Sequence, residues 1–455
     1  MKQLLHLQRE FFNTQETKCV GYRKEHLKKL KLEIEKNEDL ICDAIYADFK
    51  KPRFETILSE TQFVLAELKT AINKIERWSA PKRVSSTWAN WPSSDFVYKE
   101  PYGTVLIIAP WNYPFQLVFA PLIGALAAGN TAVVKPSEHT PNTSKIIVKI
   151  IESVFPKEYV AVVEGDSTVS QQLLAERWDY IFFTGSTRVG QIVYESAAKH
   201  LTPVTLELGG KNPTIVDETA NLKVTADRIA WGKFLNAGQT CIATDYIIAH
   251  HSIKEELIEQ LKKAIIRFYG DTIETSKDFS RTVNKGHYEG LKKMLEGEEI
   301  LFGGNTNDED NYISPTLVNE PKRDSELMKG EIFGPILPIL SYTTEDDIDN
   351  LISNYGKPLA TYIFSNNKKF QDKIIANYSF GGGAINDTVI HIANKKLPFG
   401  GVGASGIGAY HGKMSFAIFS HAKAMLKKGT WLDIPLRYPP YTLPLKYAKK
   451  LKNLF

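Results

Sequence analysis

Between residues 103 and 210, short apolar runs alternate with longer amphipathic ones. VLIIA at 105–109 precedes a helical pattern over 116–129, and TAVVK at 131–135 precedes one over 142–155. YVAVVEG, a helical stretch over 167–176, YIFFTG at 180–185, a helical stretch over 187–200 and VTLELGG continue the rhythm. Short unbroken apolar runs, spaced by helical segments of about ten to fifteen residues, predict βαβ units and a parallel sheet buried on both faces. Such sheets take ligands beyond the carboxyl ends of their strands. PWN at 110–112, KPSE at 135–138 and GST at 185–187 all fall at such ends.

The flanking regions follow other patterns. Apolar residues at helical spacing between lysines and glutamates predict helices over 24–48 and 60–78. A Trp/Pro/Ser-rich interruption at 90–94 separates segments suited to an exposed hairpin or linker, about 82–103. A second α/β segment starts after Gly210: NPTIVDE, a helix containing Trp231, a strand after Asp245, a helix over 254–268 and the apolar run 336–340. Glycine-rich loops at 381–383 and 398–408 carry embedded Phe399, which predicts packed turns rather than a linker. Repeats and low-complexity tracts are absent from the sequence.

Composition narrows the class. With 455 residues, 43% hydrophobic and 24% charged, the chain is long enough for two or three domains and is that of an ordinary globular protein. A net charge of +4 is small for this length and gives no nucleic-acid footprint. The three cysteines, Cys19, Cys42 and Cys241, are odd in number and far apart, which fits a reducing compartment rather than a disulfide framework. No Cys/His cluster suggests a metal. The charged N-terminus lacks a secretion signal, and no apolar run is long enough to span a bilayer. A cytoplasmic location is expected.

One stretch concentrates candidate chemistry: WGKFLNAGQTCIATDY, residues 231–246. Trp231, Phe234 and Leu235 recur at helical spacing, Gly238 breaks the helix, and a polar turn presents Cys241 ahead of an apolar strand. An isolated cysteine is more often a small buried hydrophobe, but a thiol in a polar turn at a helix end is placed to react. Gly185-Ser186-Thr187-Arg188-Val189-Gly190 follows a strand and opens a helix, so its N–H groups can face a pyrophosphate. It is not GxGxxG, because Thr187 stands at the second glycine, and an ordinary strand-to-helix turn is the competing reading. Lys135 can reach phosphate or ribose and Glu138 can accept ribose hydroxyls, against the plain alternative of a solvated pair.

Together, APWNYPF, KPSE, FTGSTRVG, LELGGKNP, FLNAGQTCIATDY, EIFGP, INDTVIH and LPFGGVGASGIGAYHGKMSFAIFSH resemble the NAD(P)-dependent aldehyde dehydrogenase family. They cover roughly residues 101–421 in the family's order. INDTVIH, GAYHGKMSF and the short N-terminal arm make the chain most similar to the class 3 type, which acts on fatty or aromatic aldehydes. One departure is Thr244, where the family pattern leads us to expect proline. The resemblance implies an α/β fold: a Rossmann-like parallel-sheet cofactor domain over 1–207, a second α/β catalytic domain over 208–385, and over 386–455 a return segment, a small β oligomerisation element and a basic tail.

Roles follow from the same resemblance. Cys241 would attack the aldehyde as thiolate, Asn112 with the Cys241 N–H would hold the oxyanion, and Glu207 would activate the water that hydrolyses the thioester. Lys135 and Glu138 would hold the adenosine ribose. Gly185, Ser186, Thr187 and Gly190 would sit near the pyrophosphate, and Glu331 and Phe333 would position the nicotinamide end. NAD is expected to be favoured over NADP without excluding it. Tyr113, Leu117, Trp231, Leu235 and Ile392 would line an apolar substrate tunnel suited to medium or long aliphatic and aromatic aldehydes. The expected assembly is a homodimer.

Rival readings are a cysteine hydrolase without redox chemistry, a silent dinucleotide-binding protein, and a CoA-acylating dehydrogenase. The first two leave the cofactor motifs or the intact catalytic set without a purpose, and Glu207 favours water over CoA. The carboxyl tail stands apart. From residue 423 onward it holds eight Lys/Arg and one acid, so the basic excess of the chain belongs to it. Leu443, Tyr447, Leu451 and Leu454 share a helical face with Ala448 and Phe455, opposite Lys446, Lys449, Lys450 and Asn453. Packing of that face on the body or on a partner subunit is favoured over contact with an anionic membrane surface.

Overall fold

A computed structural model describes residues 1–433, 435–442 and 444–450. The first sheet orders its strands Gly406–Ile407, Val204–Glu207, Tyr180–Thr184, Thr104–Ile108, Thr131–Lys135 and Val160–Val162. The last five run parallel. Gly406–Ile407 is antiparallel and pairs Gly406 with Glu207. Thr104–Ile108, Thr131–Lys135 and Tyr180–Thr184 are buried at every residue, as an unbroken apolar run between two helical layers requires.

Local chemistry sets the turns that follow these strands. The helix Gln116–Ala128 is buried throughout and stops at Gly129, whose φ of 99° suits glycine. Asp166 caps Ser167–Leu174 by accepting from the Thr168 and Val169 N–H groups. Ser186 caps Thr187–Ala198 through the Val189 N–H. A Cβ on Gly190 would meet Leu208 Cδ2 at 2.6 Å, so glycine is what lets this helix lie close to the loop beyond Glu207.

A second, seven-stranded sheet has the order Glu299–Phe302, Thr316–Asn319, Ile336–Tyr342, Tyr246–His250, Pro213–Val216, Ala360–Phe364, Gly382–Ile385. All neighbours are parallel except Glu299–Phe302. A third sheet is antiparallel: Lys82–Val84 pairs with Ser93–Pro101, which pairs in turn with Ser420–Lys428 from Pro101↔Ser420 to Ser93↔Lys428. The segment after residue 386 therefore returns to both the first and the third sheets.

The pattern over 24–48 predicts one helix, and the structure has two, Val20–Lys36 and Glu38–Phe49. Asn37 makes the break. Its Nδ2 donates to the Glu33 carbonyl at 2.8 Å and its Oδ1 accepts from Lys149 Nζ at 3.1 Å. A side chain that competes for a backbone acceptor of its own helix, and is tied to a neighbouring helix, ends regular structure despite unbroken periodicity. A π-helical turn, Ile57–Thr61, precedes the helix Gln62–Ser79 and carries the buried Glu60.

In the tail, Leu445–Ala448 is helical, with Leu445 and Tyr447 exposed. Leu443, Leu451, Lys452, Asn453, Leu454 and Phe455 lie outside the described residues, so the expected amphipathic face is described only in part. Among the described residues, no helix is long and apolar enough to cross a membrane.

Candidate active site

Cys241 sits in a turn between the helix Leu222–Phe234 and the strand Tyr246–His250. Asn236, Ala237 and Gly238 ahead of it have φ of 55°, 52° and 75°. Two consecutive non-glycine residues in the left-handed region cost free energy and persist only where surroundings over-determine them. The surroundings do so. Asn236 Nδ2 donates to the Asn112 carbonyl at 2.9 Å, and Asn112 Nδ2 donates to the Gln239 carbonyl at 3.1 Å. Gln239 Nε2 donates to the carbonyls of Asn236 and Arg281, and its Oε1 accepts from the Val283 N–H, each at 3.0 Å.

The far side of the turn is held as firmly. Asn212 Nδ2 donates to the Cys241 carbonyl at 2.7 Å, and Tyr362 donates to the Ile242 carbonyl at 2.6 Å. Thr244 Oγ1 and Thr214 Oγ1 are 2.8 Å apart, so the residue standing in place of proline is tethered by a hydrogen bond instead. Tyr113 and Thr240 hydroxyls are 2.7 Å apart.

Two cavities meet at the cysteine. One, of about 980 Å³ counted out to its open mouth, is walled by Tyr113, Leu117, Trp231, Leu235 and Ile392 together with Phe63, Val389, Phe399 and Tyr410. The other, of about 700 Å³ on the same measure, is walled by Trp111, Asn112, Gly185, Ser186, Glu331 and Phe333. Leu117, Thr184, Glu207, Leu208 and Cys241 line both. An apolar compartment and a more polar one thus share one thiol, Cys241, and one carboxylate, Glu207.

A match to the model of the aldehyde dehydrogenase family spans residues 7–425. The chain belongs to that family. It is 50% identical over 441 residues to the 4,4'-diaponeurosporen-aldehyde dehydrogenase of Staphylococcus aureus, covering 96% of each chain. It is 40% identical to the dimeric NADP-preferring aldehyde dehydrogenase of Canis lupus familiaris, covering 95% of this chain and 96% of the relative. A solved structure of the substrate-bound state of Staphylococcus aureus AldH superposes with a TM-score of 0.97 at 48% identity over 99% of each chain. An oxidoreductase that acts on aldehydes with NAD(P), built on a Rossmann-like α/β fold, is therefore established at the level of the family.

In this aldehyde dehydrogenase, burial dominates the electrostatics of the site. Glu207 is 2% exposed, and neither carboxyl oxygen has a hydrogen-bond partner among the described residues. Burial alone pushes its pKa well above the carboxylate range. The Cys241 thiol is pushed up first by burial and then by the charges of Glu331 and Glu207. Glu331 is raised to about 8 by burial, then by Asp245, against the Gly210 N–H and the lysines Lys211 and Lys233. Buried Lys233 is lowered to about 8, again chiefly by burial.

The remaining expected residues divide. Lys135 ends its strand buried, with Nζ 2.6 Å from Glu138 Oε2. Burial is the largest single influence on Glu138 and opposes its ionisation, but the Lys135 hydrogen bond, the Glu138 backbone N–H and the charges of Lys135 and His139 together outweigh it and hold the carboxyl below its usual range. Lys135, Glu138, Thr187 and Gly190 line neither cavity; Thr187 Oγ1 donates to the Ala404 carbonyl at 3.1 Å. Phe333 has φ of 54° and packs edge-on against Trp111 at 5.3 Å, while its carbonyl lies 2.8 Å from His287 Nε2.

Sequence reasoning missed Asn236, Gln239, Asn212, Thr184 and Tyr410. The first two lie within the cysteine motif itself, Asn212 within LELGGKNP, Thr184 within FTGSTRVG and Tyr410 within GAYHG. Polar or aromatic residues inside motifs that already carry chemistry were the available signal.

Proposed function

We propose that this aldehyde dehydrogenase converts aldehydes to carboxylic acids through a thioester on Cys241, hydrolysed with Glu207 as general base. The observation that carries the reading is that Cys241 and Glu207 line both the apolar and the polar cavity. Cys19 and Cys42 line neither.

Burial raises the pKa of the Cys241 thiol, so attack requires proton removal; ionised Glu207, whose two oxygens have no partner among the described residues, takes that proton and passes it to solvent before the hydrolytic step. The oxyanion that forms needs donors. Asn112 Nδ2 gives one N–H to the Gln239 carbonyl and keeps its second for the oxyanion, beside the Cys241 backbone N–H. The cofactor supplies one piece of chemistry when bound: it accepts the hydride from the tetrahedral carbon. What remains on Cys241 is a thioester. Water then adds to the acyl carbon, its proton passes to Glu207, and the carbon–sulfur bond breaks to release the acid.

The polar cavity suits a dinucleotide. Glu331 Oε1 is buried without a partner among the described residues, which fits a ribose hydroxyl, and Phe333 lines the same cavity. Gly185, Ser186, Thr187 and Gly190 would face the pyrophosphate at the start of Thr187–Ala198. Lys135 and Glu138 would take the adenosine ribose. A carboxylate there repels a 2′-phosphate, so NAD is favoured over NADP, although paired Lys135 softens the bias.

The wide apolar cavity, bounded by Tyr113, Leu117, Trp231, Leu235 and Ile392, supports medium or long aliphatic and aromatic aldehydes as substrates. Residues 1–207, 208–385 and 386–455 would serve as cofactor domain, catalytic domain, and return segment with oligomerisation sheet and tail. Pairing of two copies through the sheet of Ser93–Pro101 and Ser420–Lys428 would give a cytoplasmic homodimer. Membrane contact by the basic tail is the less favoured reading.

The test is an NAD-reduction assay on a chain-length series of aldehydes. Cys241→Ala should abolish acid formation and leave NAD binding intact. Retained activity in Cys241→Ala, or acyl-CoA in place of acid when CoA is added, would overturn the reading.

A further inference from the structure

Tyr410 is a tyrosine whose hydroxyl has nothing to do in the fold. The ring is fixed on every side. It packs against Phe182 at 5.1 Å, Phe399 at 5.8 Å and His411 at 4.3 Å between ring centres. Its backbone is bridged to Phe399 in both directions, at 3.1 and 2.7 Å. Yet the hydroxyl oxygen is buried and without a hydrogen-bond partner among the described residues, and Tyr410 lines the cavity that Cys241 and Glu207 share. Burial first, and then the charges of Glu207 and Cys241, raise its pKa well above 10, so the group stays an O–H donor and lies within electrostatic reach of both.

A buried hydroxyl without a partner is costly, as is a buried carboxyl with two bare oxygens. Tyr410 and Glu207 line one cavity, and a water there would answer both groups. We propose that Tyr410 and Glu207 together hold the water that hydrolyses the thioester, which makes Tyr410 a further catalytic residue of this enzyme. The inference rests on the assignment of Glu207 as general base. The Tyr410 O–H donates to one lone pair of the water, one water hydrogen is presented to Glu207, and the second lone pair faces the acyl carbon. As the new carbon–oxygen bond forms, the proton passes to Glu207 and the Cys241 sulfur leaves. Tyr410 keeps its own proton throughout; its contribution is orientation.

Tyr410→Phe removes the hydroxyl and leaves the ring, so it separates this role from packing. Steady-state turnover should fall roughly tenfold, the size expected for one ordinary hydrogen bond. NADH release should acquire a burst approaching one equivalent per site, because only deacylation is slowed. Hydroxylamine, an acyl acceptor that does not depend on the held water, should restore turnover. The melting temperature should stay level or rise, since a partnerless buried hydroxyl is removed. Unchanged turnover, a slower enzyme without a burst, or a lowered melting temperature would each overturn the proposal. Glu207→Gln run in parallel keeps the two readings apart. If it stalls while Tyr410→Phe is unimpaired, only the Tyr410 role fails; if Glu207→Gln turns over normally, the assignment beneath it fails.

Discussion

Two buried glutamates, Glu60 and Glu207, are treated in opposite ways. Glu60 is fully buried, and every oxygen is answered. Oε1 accepts from Lys51 Nζ at 2.9 Å, and Oε2 accepts from the N–H groups of Phe115 and Gln116 at 3.0 and 2.9 Å. Lys51 in turn lies 3.8 Å from the centre of the Tyr113 ring, which ties the Ile57–Thr61 turn to the segment that carries Asn112. Glu207, only slightly more exposed, has no partner for either oxygen among the described residues. A satisfied buried carboxylate joins elements; an unsatisfied one is a group held ready for a ligand or a proton. The difference separates scaffold from chemistry more sharply than burial does.

That contrast is broken most forcefully at Glu207. Glu207→Gln should lower steady-state turnover by about 10²–10⁴-fold, the usual range for loss of a general base, without loss of stability. Its pH dependence sharpens the point. Burial raises the folded-state pKa of Glu207 above that of a free glutamate. Between the two values the folded protein holds a proton that the unfolded chain has released, so stability falls as pH rises through that window. Glutamine has no such slope. The melting temperature of Glu207→Gln should therefore exceed wild type by a margin that widens as pH rises above the ordinary glutamate range. A constant margin in parallel thermal melts would refute the account.

Glu60 should answer in the opposite currency. Glu60→Ala strands Lys51 and two N–H groups, and loss of one partner of a buried pair costs about 3–5 kcal/mol. Urea unfolding should show a lower midpoint for Glu60→Ala and none for Glu207→Gln; equal midpoints would dissolve the comparison. The smallest effect belongs to Thr244. Thr244→Ala removes a single neutral hydrogen bond to Thr214, worth about 1 kcal/mol, and should leave turnover within about twofold of wild type. A larger kinetic loss would show that the tether, rather than the clamps on Asn236 and Gln239, sets the position of Cys241.

The sequence by itself determined the elements and their class. Strands buried on both faces show as unbroken apolar runs, and helices show as period-3.6 patterns, because both reflect burial of neighbouring residues in one element. The runs at 105–109, 131–135 and 180–185 became Thr104–Ile108, Thr131–Lys135 and Tyr180–Thr184 for that reason. Ordered motifs placed the chain in its family and named Cys241, Asn112 and Glu207 as candidates. The tertiary structure alone decided what depends on distant partners. It broke the helix at Asn37 with a side chain tied to Lys149. It brought Asn112, Glu207 and Cys241 from three separate elements to one pair of cavities. It also left Glu207 and Tyr410 bare while satisfying Glu60. Periodicity records whether a residue is buried, whereas the partners of a buried polar atom come from other segments, 55 residues away for Phe115 on Glu60 and 112 for Lys149 on Asn37, and no local pattern encodes them.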